Sequence, residues 1–175
     1  ALKCTLPGVP DIYQGTEFWD FSLVDPDNRR PVDYKERASA LSAGGAPAEL
    51  MRDWRSGAVK QFVIARILAD RAATPALYAD GDYSALEAEG EKAAHVVAFT
   101  RMSGQDGIVV AVPRLVAQLA GEDVLPLGSG LWGDTTLALP EGVWKSVLTG
   151  DERSGALALG ELFGDLPVAV LRKVQ

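Results

Sequence analysis

The sequence predicts an α+β chain, helical within residues 1–75 and antiparallel β within residues 76–175. Three observations carry this reading. Residues 56–73 place Val59, Phe62, Val63 and Ile67 at helical spacing, with Ile64 and Leu68 widening the stripe. Thr74-Pro75 ends that pattern, because a residue ahead of proline is pushed out of helical dihedrals. From Leu77 onward, short β-branched or apolar runs recur between turns bearing Gly, Pro and Asp, the layout of an antiparallel sandwich.

In chain order, residues 1–6 are too few to assign alone. Pro7-Gly8 is a turn signal, and Val9 ahead of Pro10 is biased to an extended backbone. Asp11, Ile12 and Tyr13 then read as a very short strand ended by Gly15. Asp33 with Glu36 three residues on forms a capping box and opens a helix over residues 34–43. Its few apolar positions, Ala38 and Leu41, make it a surface helix, and Gly44-Gly45 stops it. Pro47 opens a second short helix running to Trp54. In the long helix, Lys60, Arg66 and Asp70 fall within or beside the apolar stripe; Arg66 and Asp70, four apart, are spaced to pair along it.

The strand candidates are residues 83–88, 95–101, 108–113, 135–139, 143–149, 156–159 and 168–174. The run 108–112 does not alternate, which predicts a central strand buried on both faces. Gly104 to Gly107 reads as a hairpin connection, Gly150-Asp151 as a turn, and residues 115–119 as one or two helical turns.

At 175 residues the chain has room for one sizeable core, or for one domain plus a piece of another. A net charge of −7 leaves no basic face for nucleic acid phosphates. No apolar run reaches spanning length, so no membrane partner is expected. Cys4 is the only cysteine; no intrachain disulfide can form, and a reducing cytoplasm fits. Opening at Ala1 just ahead of a strand, the chain reads as the tail of something longer. His95, the only histidine, opens an apolar strand with no Cys or His at ligand spacing, so neither a metal nor a cofactor is expected. No serine stands in a nucleophile-elbow context, and Gly128-Ser129-Gly130 lacks the lysine of a phosphate loop.

The chemistry concentrates in residues 13–34. Phe18, Trp19 and Phe21 are interleaved with Asp20, Asp25 and Asp27 and followed by Arg29-Arg30. Long loops in compact domains are usually functional or disordered. Aromatic faces beside carboxylates and guanidinium forks suit sugars, whose ring faces stack and whose hydroxyls take paired hydrogen bonds. Asp25, Asp27, Asn28, Arg29 and Arg30 are candidates to hold sugar hydroxyls; the equal alternative is that the Asp–Arg pairs staple the loop to itself. Trp19 and Tyr34 are placed either to stack on sugar rings or to plug the loop. Trp54, Trp132 and Trp144 read as packing residues, and Glu17 as a brace for loop amides.

The pattern Gly8-x-Pro10-x-Ile12-Tyr13-x-Gly15-x-Glu17 resembles the eighth barrel strand and following loop of the α-amylase superfamily. Its wording, PGVPDIYQGTE and then FWDFSLVDPDNRRPVDY, resembles the maltooligosyltrehalose synthases, with Gln14 and Thr16 departing from the commoner superfamily residues towards that group. Later stretches agree: Leu68-Ala69-Asp70-Arg71, Gly81-Asp82-Tyr83, Ala98 to Arg101, Val112-Pro113-Arg114, Trp132 to Thr135 and Leu166 to Ala169. The resemblance covers nearly the whole chain. It implies the last strand–loop–helix portion of a (β/α)8 barrel in residues 1–75, residues 56–73 being the last barrel helix. An antiparallel β-sandwich C-terminal domain follows in residues 76–175.

The activity implied is intramolecular transglucosylation of a maltooligosaccharide, the reducing-end α-1,4 bond becoming α-1,1. Another hydrolase or transglycosidase of the superfamily is the alternative, as is a β domain serving on its own as a glycan-binding or structural unit. The family carries its catalytic acids on earlier barrel strands, so none is expected here: the retaining pair would lie upstream of Ala1, and residues 1–175 alone should be inactive. Tyr13, Gln14, Trp19, Asp25, Asp27, Asn28, Arg29, Arg30 and Tyr34 are the expected substrate contacts. A barrel strand without its neighbours leaves unpaired backbone groups. Residues before 56 are therefore expected to rearrange, to pair with another copy of the chain or to stay mobile, while the β domain folds independently.

Overall fold

A computed structural model describes residues 1–174. Five helices lead: α1 Leu2–Thr5, α2 Tyr34–Ala43, α3 Pro47–Arg52, α4 Ala58–Ala73 and α5 Pro75–Asp80. The strands are β1 Asp82–Leu86, β2 Ala88–Glu89, β3 Val96–Ser103, β4 Asp106–Pro113, β5 Thr136–Ala138, β6 Trp144–Ser146, β7 Glu152–Arg153, β8 Ala156–Ala158 and β9 Ala169–Lys173. Three short helices interrupt them: α6 Val116–Ala120, α7 Ser129–Trp132 and α8 Leu159–Leu162.

All strand pairs are antiparallel, in a six-stranded sheet of order β1-β3-β4-β9-β6-β7 and a three-stranded sheet of order β2-β5-β8. β4 lies between β3 and β9, and Ile108, Val109, Val110 and Ala111 are all fully buried, as a run without alternation requires. Alternate residues go opposite ways. Ile108 and Val110, with Phe99 and Val170, pack against Val59, Val63 and Ile67 of α4. Val109 and Leu171 pack instead with Trp144, Leu139 and Leu157. The larger sheet is thus covered by helices on one face, and by the smaller sheet with α7 and α8 on the other. β3 and β4 are joined by Gly104-Gln105 alone, and Gly104 at φ 60° supplies the positive dihedral a tight hairpin needs.

Local chemistry explains the helices. The Asp33 carboxylate accepts from the Glu36 amide at 2.8 Å, capping α2, which buries no residue. Pro75 ends α4 but also starts α5, since proline is well suited to a first helical turn. α5 was not legible from its sequence, yet it buries Leu77 and Tyr78.

Two expectations fail. Residues 11–13 join neither sheet, because no strand among the described residues lies beside them to take their backbone groups. Arg66 and Asp70 do not pair either. Asp70 instead accepts from Arg172 of β9 and from the Tyr78 hydroxyl, at 2.6 Å for the latter, while Arg66 Nε donates to the Val147 carbonyl at 3.3 Å. A semi-buried cation one sheet away outcompetes a solvated neighbour on the same helix.

The N-terminal segment is tied to this frame by two arginines. Arg101, buried in β3, donates to the carbonyls of Gly81 at 2.9 Å and Thr5 at 3.1 Å. Arg71 of α4 donates to Cys4 at 3.2 Å and Gly8 at 2.6 Å. Both meet the C-terminal end of α1, where carbonyls lack helical partners.

Candidate functional site

A turn over residues 14–17 carries Tyr13 to one side of an apolar cavity of about 670 Å³. Trp19, Trp54, Lys60, Asp11 and Met51 are among its other walls. Trp19 is fixed in two ways: its Nε1 donates to the Trp54 carbonyl at 2.6 Å, and its ring meets that of Trp54 edge-on at 6.3 Å. Lys60 projects from α4, donates to the Phe18 carbonyl at 2.8 Å, and sets its ammonium 5.3 Å from the Trp19 ring centre. Burial lowers the Lys60 pKa, while Asp20 and Glu17 pull it back up. Asp20, on the exposed rim, sits below the usual carboxylate value because the Ser22 hydroxyl and amide both donate to it.

Behind the turn stands Arg37 of α2. Its Nε and Nη2 both donate to the Gly15 carbonyl, and its guanidinium lies 4.7 Å from the centre of the Phe18 ring. Glu17 faces it at 3.9 Å with Oε2 buried and without a hydrogen-bond partner among the described residues. No loop amide donates to Glu17 among the described residues; the turn is held instead through its Gly15 carbonyl, which accepts from Arg37. Gln61, buried on α4, holds Arg37 in turn by donating to its carbonyl at 3.0 Å. Gly15 has φ 81°, and a Cβ there would come within 2.6 Å of Val32, so the turn closes against the far end of its own loop.

Of the nine residues expected to touch sugar, only Tyr13 and Trp19 line this cavity. Gln14 is exposed on the turn beside them. Asp25, Asp27, Asn28, Arg29 and Arg30 gather separately around a single turn of 3-10 helix, Asp27–Arg29. There Arg29 pairs with Asp25 and Arg30 with Asp27, and the Leu23 amide donates to Asp27 at 2.8 Å. Tyr34 begins α2, half-exposed and outside the cavity.

Sequence reasoning missed Arg37, Gln61 and Lys60. Lys60 carries a signal, a cation inside an apolar stripe; Trp54 packs against the α4 core, as its sequence reading expects, and forms a cavity wall as well. Trp132 and Trp144, by contrast, are fully buried and donate to the carbonyls of Pro126 and Pro140, as packing residues should. Among the described residues no cluster of His, Cys, Asp and Glu could hold a metal.

No protein-family model matches the chain. It is 44% identical over 170 residues to a Mycobacterium tuberculosis protein assigned as a maltooligosyl trehalose synthase, covering 97% of this chain and 19% of that protein. The maltooligosyltrehalose synthase of Arthrobacter ramosus superposes with a TM-score of 0.79 at 38% identity, over 99% of this chain and 21% of that one. This chain is homologous to a segment of the maltooligosyltrehalose synthases. It spans 19% of the length of the curated synthase relatives it matches. A further synthase crystal structure superposes at TM-score 0.69 and 26% identity, over 96% of this chain and 20% of that one. An Anoxybacillus α-amylase, at 21% identity and TM-score 0.57, shares the fold alone.

Proposed function

We propose that this chain serves as part of a maltooligosyltrehalose synthase. The enzyme would turn the reducing-end α-1,4 linkage of a maltooligosaccharide into α-1,1 by intramolecular transglucosylation. The observation that carries this is 44% identity sustained over 170 residues of a synthase relative. Such a reaction goes through a covalent glycosyl-enzyme, which needs two carboxylates about 5 Å apart. By the family resemblance those acids belong to other barrel strands, so this chain contributes no catalytic group.

Its share is contact and exclusion of water. Tyr13 and Trp19 offer ring faces at an apolar cavity, where a released glucose must be retained and turned while hydrolysis is suppressed. Gln14, Asp25, Asp27, Asn28, Arg29, Arg30 and Tyr34 complete the proposed contact set from the adjoining loop. The internal Asp–Arg pairs also support a second role for that cluster, a staple that holds the loop's shape.

On this reading residues 1–75 belong to a catalytic (β/α)8 barrel, and residues 76–175 to an all-β sandwich domain, with α4 lying between them. The enzyme is cytoplasmic and needs neither metal nor cofactor. Its partner is the maltooligosaccharide, and the exposed Val9, Phe21, Leu23 and Val24 favour self-association when the segment stands alone.

The test is a chimera in which this chain replaces the matched segment of the Arthrobacter ramosus enzyme. Products with trehalose ends and no reducing sugar are expected from maltopentaose. A folded chimera that yields only free glucose, or nothing, sinks the reading. So does residues 1–175 alone converting maltopentaose to non-reducing product.

A further inference from the structure

A second concavity of about 320 Å³ lies between the second half of α4 and the β6–β9 pair of the large sheet, sharing no residue with the sugar cavity. Arg66, Lys145 and Arg172 all line it, together with Asp70, Ser146 and Gly150. Lys145 and Arg172 are direct partners across β6 and β9, so their side chains leave the same face of the sheet, the face on which α4 carries Arg66. Like charges set directly opposite in a sheet repel, and here a third joins them in a protein of net charge −7.

Of the acids nearby only Asp70 offsets this, and it offsets Arg172 alone. Asp70 is consumed by Arg172 and the Tyr78 hydroxyl. Glu152 sits across from Lys145 on β7, but it makes no ion pair among the described residues and does not line the cleft. Asp151 pairs with Arg153.

Donors also remain unspent. Arg66 uses only Nε, on the Val147 carbonyl, and Lys145 Nζ has no partner among the described residues. Arg172 Nη1 is buried with no acceptor, although a buried donor left unmade is costly. Two uncompensated cations, Arg66 and Lys145, with the one unspent nitrogen of Arg172 beside them, offer donors for the acceptor oxygens of a phosphate group, which guanidinium forks grip in pairs. The cleft has room for more than the bare ion. We propose that it is a phosphate-group site, taking either inorganic phosphate or a small phosphomonoester.

Thermal unfolding of the 175-residue chain tests this, titrated with inorganic phosphate, with glucose 6-phosphate, and with sodium chloride at matched ionic strength. Saturable stabilisation by at least one phosphate compound, beyond the chloride control, is expected; the tighter of the two identifies the source. The Arg66→Gln/Lys145→Gln variant spares the Asp70–Arg172 pair and should melt near the wild-type temperature without phosphate. Its phosphate affinity should fall by roughly tenfold or more. Should that variant itself melt far below wild type, phosphorus-31 line broadening on the single variant Lys145→Gln replaces it, with the same expected loss. Phosphate stabilisation no greater than that by chloride, or equal in wild type and variant, overturns the proposal.

Discussion

Arg37 donates from Nε and Nη2 to one acceptor, the carbonyl oxygen of Gly15, at 2.9 and 2.8 Å. One guanidinium fork therefore fixes the turn that carries Tyr13 and Trp19, and it simultaneously covers Phe18 and faces Glu17. Replacing Arg37 with Ala should cost roughly 1–3 kcal/mol, since the Gly15 carbonyl loses its donors and the Glu17 carboxylate its facing counter-charge. Replacing it with Lys should recover less than half of that, because a point ammonium cannot reproduce the fork. Urea unfolding gives both values, and the Trp19 emission should shift to the red as its turn loosens. Wild-type stability and emission in Arg37→Ala would show that the fork holds nothing in place.

How much of this was legible depended on how far apart the interacting residues lie. The α2 cap needed only Asp33 and Glu36, three positions apart, and the burial of β4 was written in its unbroken apolar run. The Arg37–Gly15 bond spans 22 residues and Lys60–Phe18 spans 42, so no local pattern announces them. Asp70 finds Arg172 at a separation of 102 residues, and the nearer Arg66 was the natural local guess. Residues 11–13 had strand-like composition, but a strand exists only with a neighbour, which composition cannot supply. Of the site, the aromatic half at Tyr13 and Trp19 could be read from the sequence; the residues that orient it could not.

Asp70 joins α4, α5 and β9 through Arg172 and Tyr78, and both members of the Asp70–Arg172 pair are mostly buried. Asp70→Asn leaves Arg172 without its counter-charge and should cost about 3 kcal/mol, the lower end for breaking such a pair because some solvent still reaches it. Tyr78 carries the pH dependence. Burial first, then its bond to Asp70, raises its pKa far above the ordinary phenol value. The folded phenol keeps its proton, whereas the unfolded one releases it near pH 10. Its contribution is thus whole below about pH 10 and is lost as pH climbs above that towards the folded value. Tyr78→Phe should flatten this alkaline limb while lowering stability at neutral pH. An alkaline limb unchanged in Tyr78→Phe would contradict the assignment.

Gly160 on α8 and Gly130 on α7 make a paired test of close packing. An added Cβ at Gly160 would stand 2.4 Å from the Ser129 Cα, whereas at Gly130 it meets nothing within 4 Å. Alanine improves helix propensity at either site by about 1 kcal/mol. Backbone overlap should reverse the sign at Gly160, for a net loss of roughly 1–3 kcal/mol, while Gly130→Ala is neutral or mildly stabilising. Equal unfolding midpoints for the two variants would mean that α7 and α8 do not touch as closely as this.

The helix-facing side of the large sheet decides where the chain can be cut. Phe99, Ile108, Val110 and Val170 are all fully buried there, against Val59, Val63 and Ile67 of α4. Residues 76–175 alone would turn that face to water, an apolar patch of the kind that drives aggregation. Residues 56–175 keep α4 as its cover and give up α1, the turn with its loop, α2 and α3. The shorter piece should bind a hydrophobic dye and unfold without a sharp transition. The longer one should unfold cooperatively, with a midpoint below that of the whole chain, since Arg71 and Arg101 lose the carbonyls of Cys4, Gly8 and Thr5. Dye binding and urea unfolding of the two pieces read this directly. Cooperative, dye-free unfolding of residues 76–175 would show that α4 belongs to the N-terminal part alone, and that the sheet is complete without it.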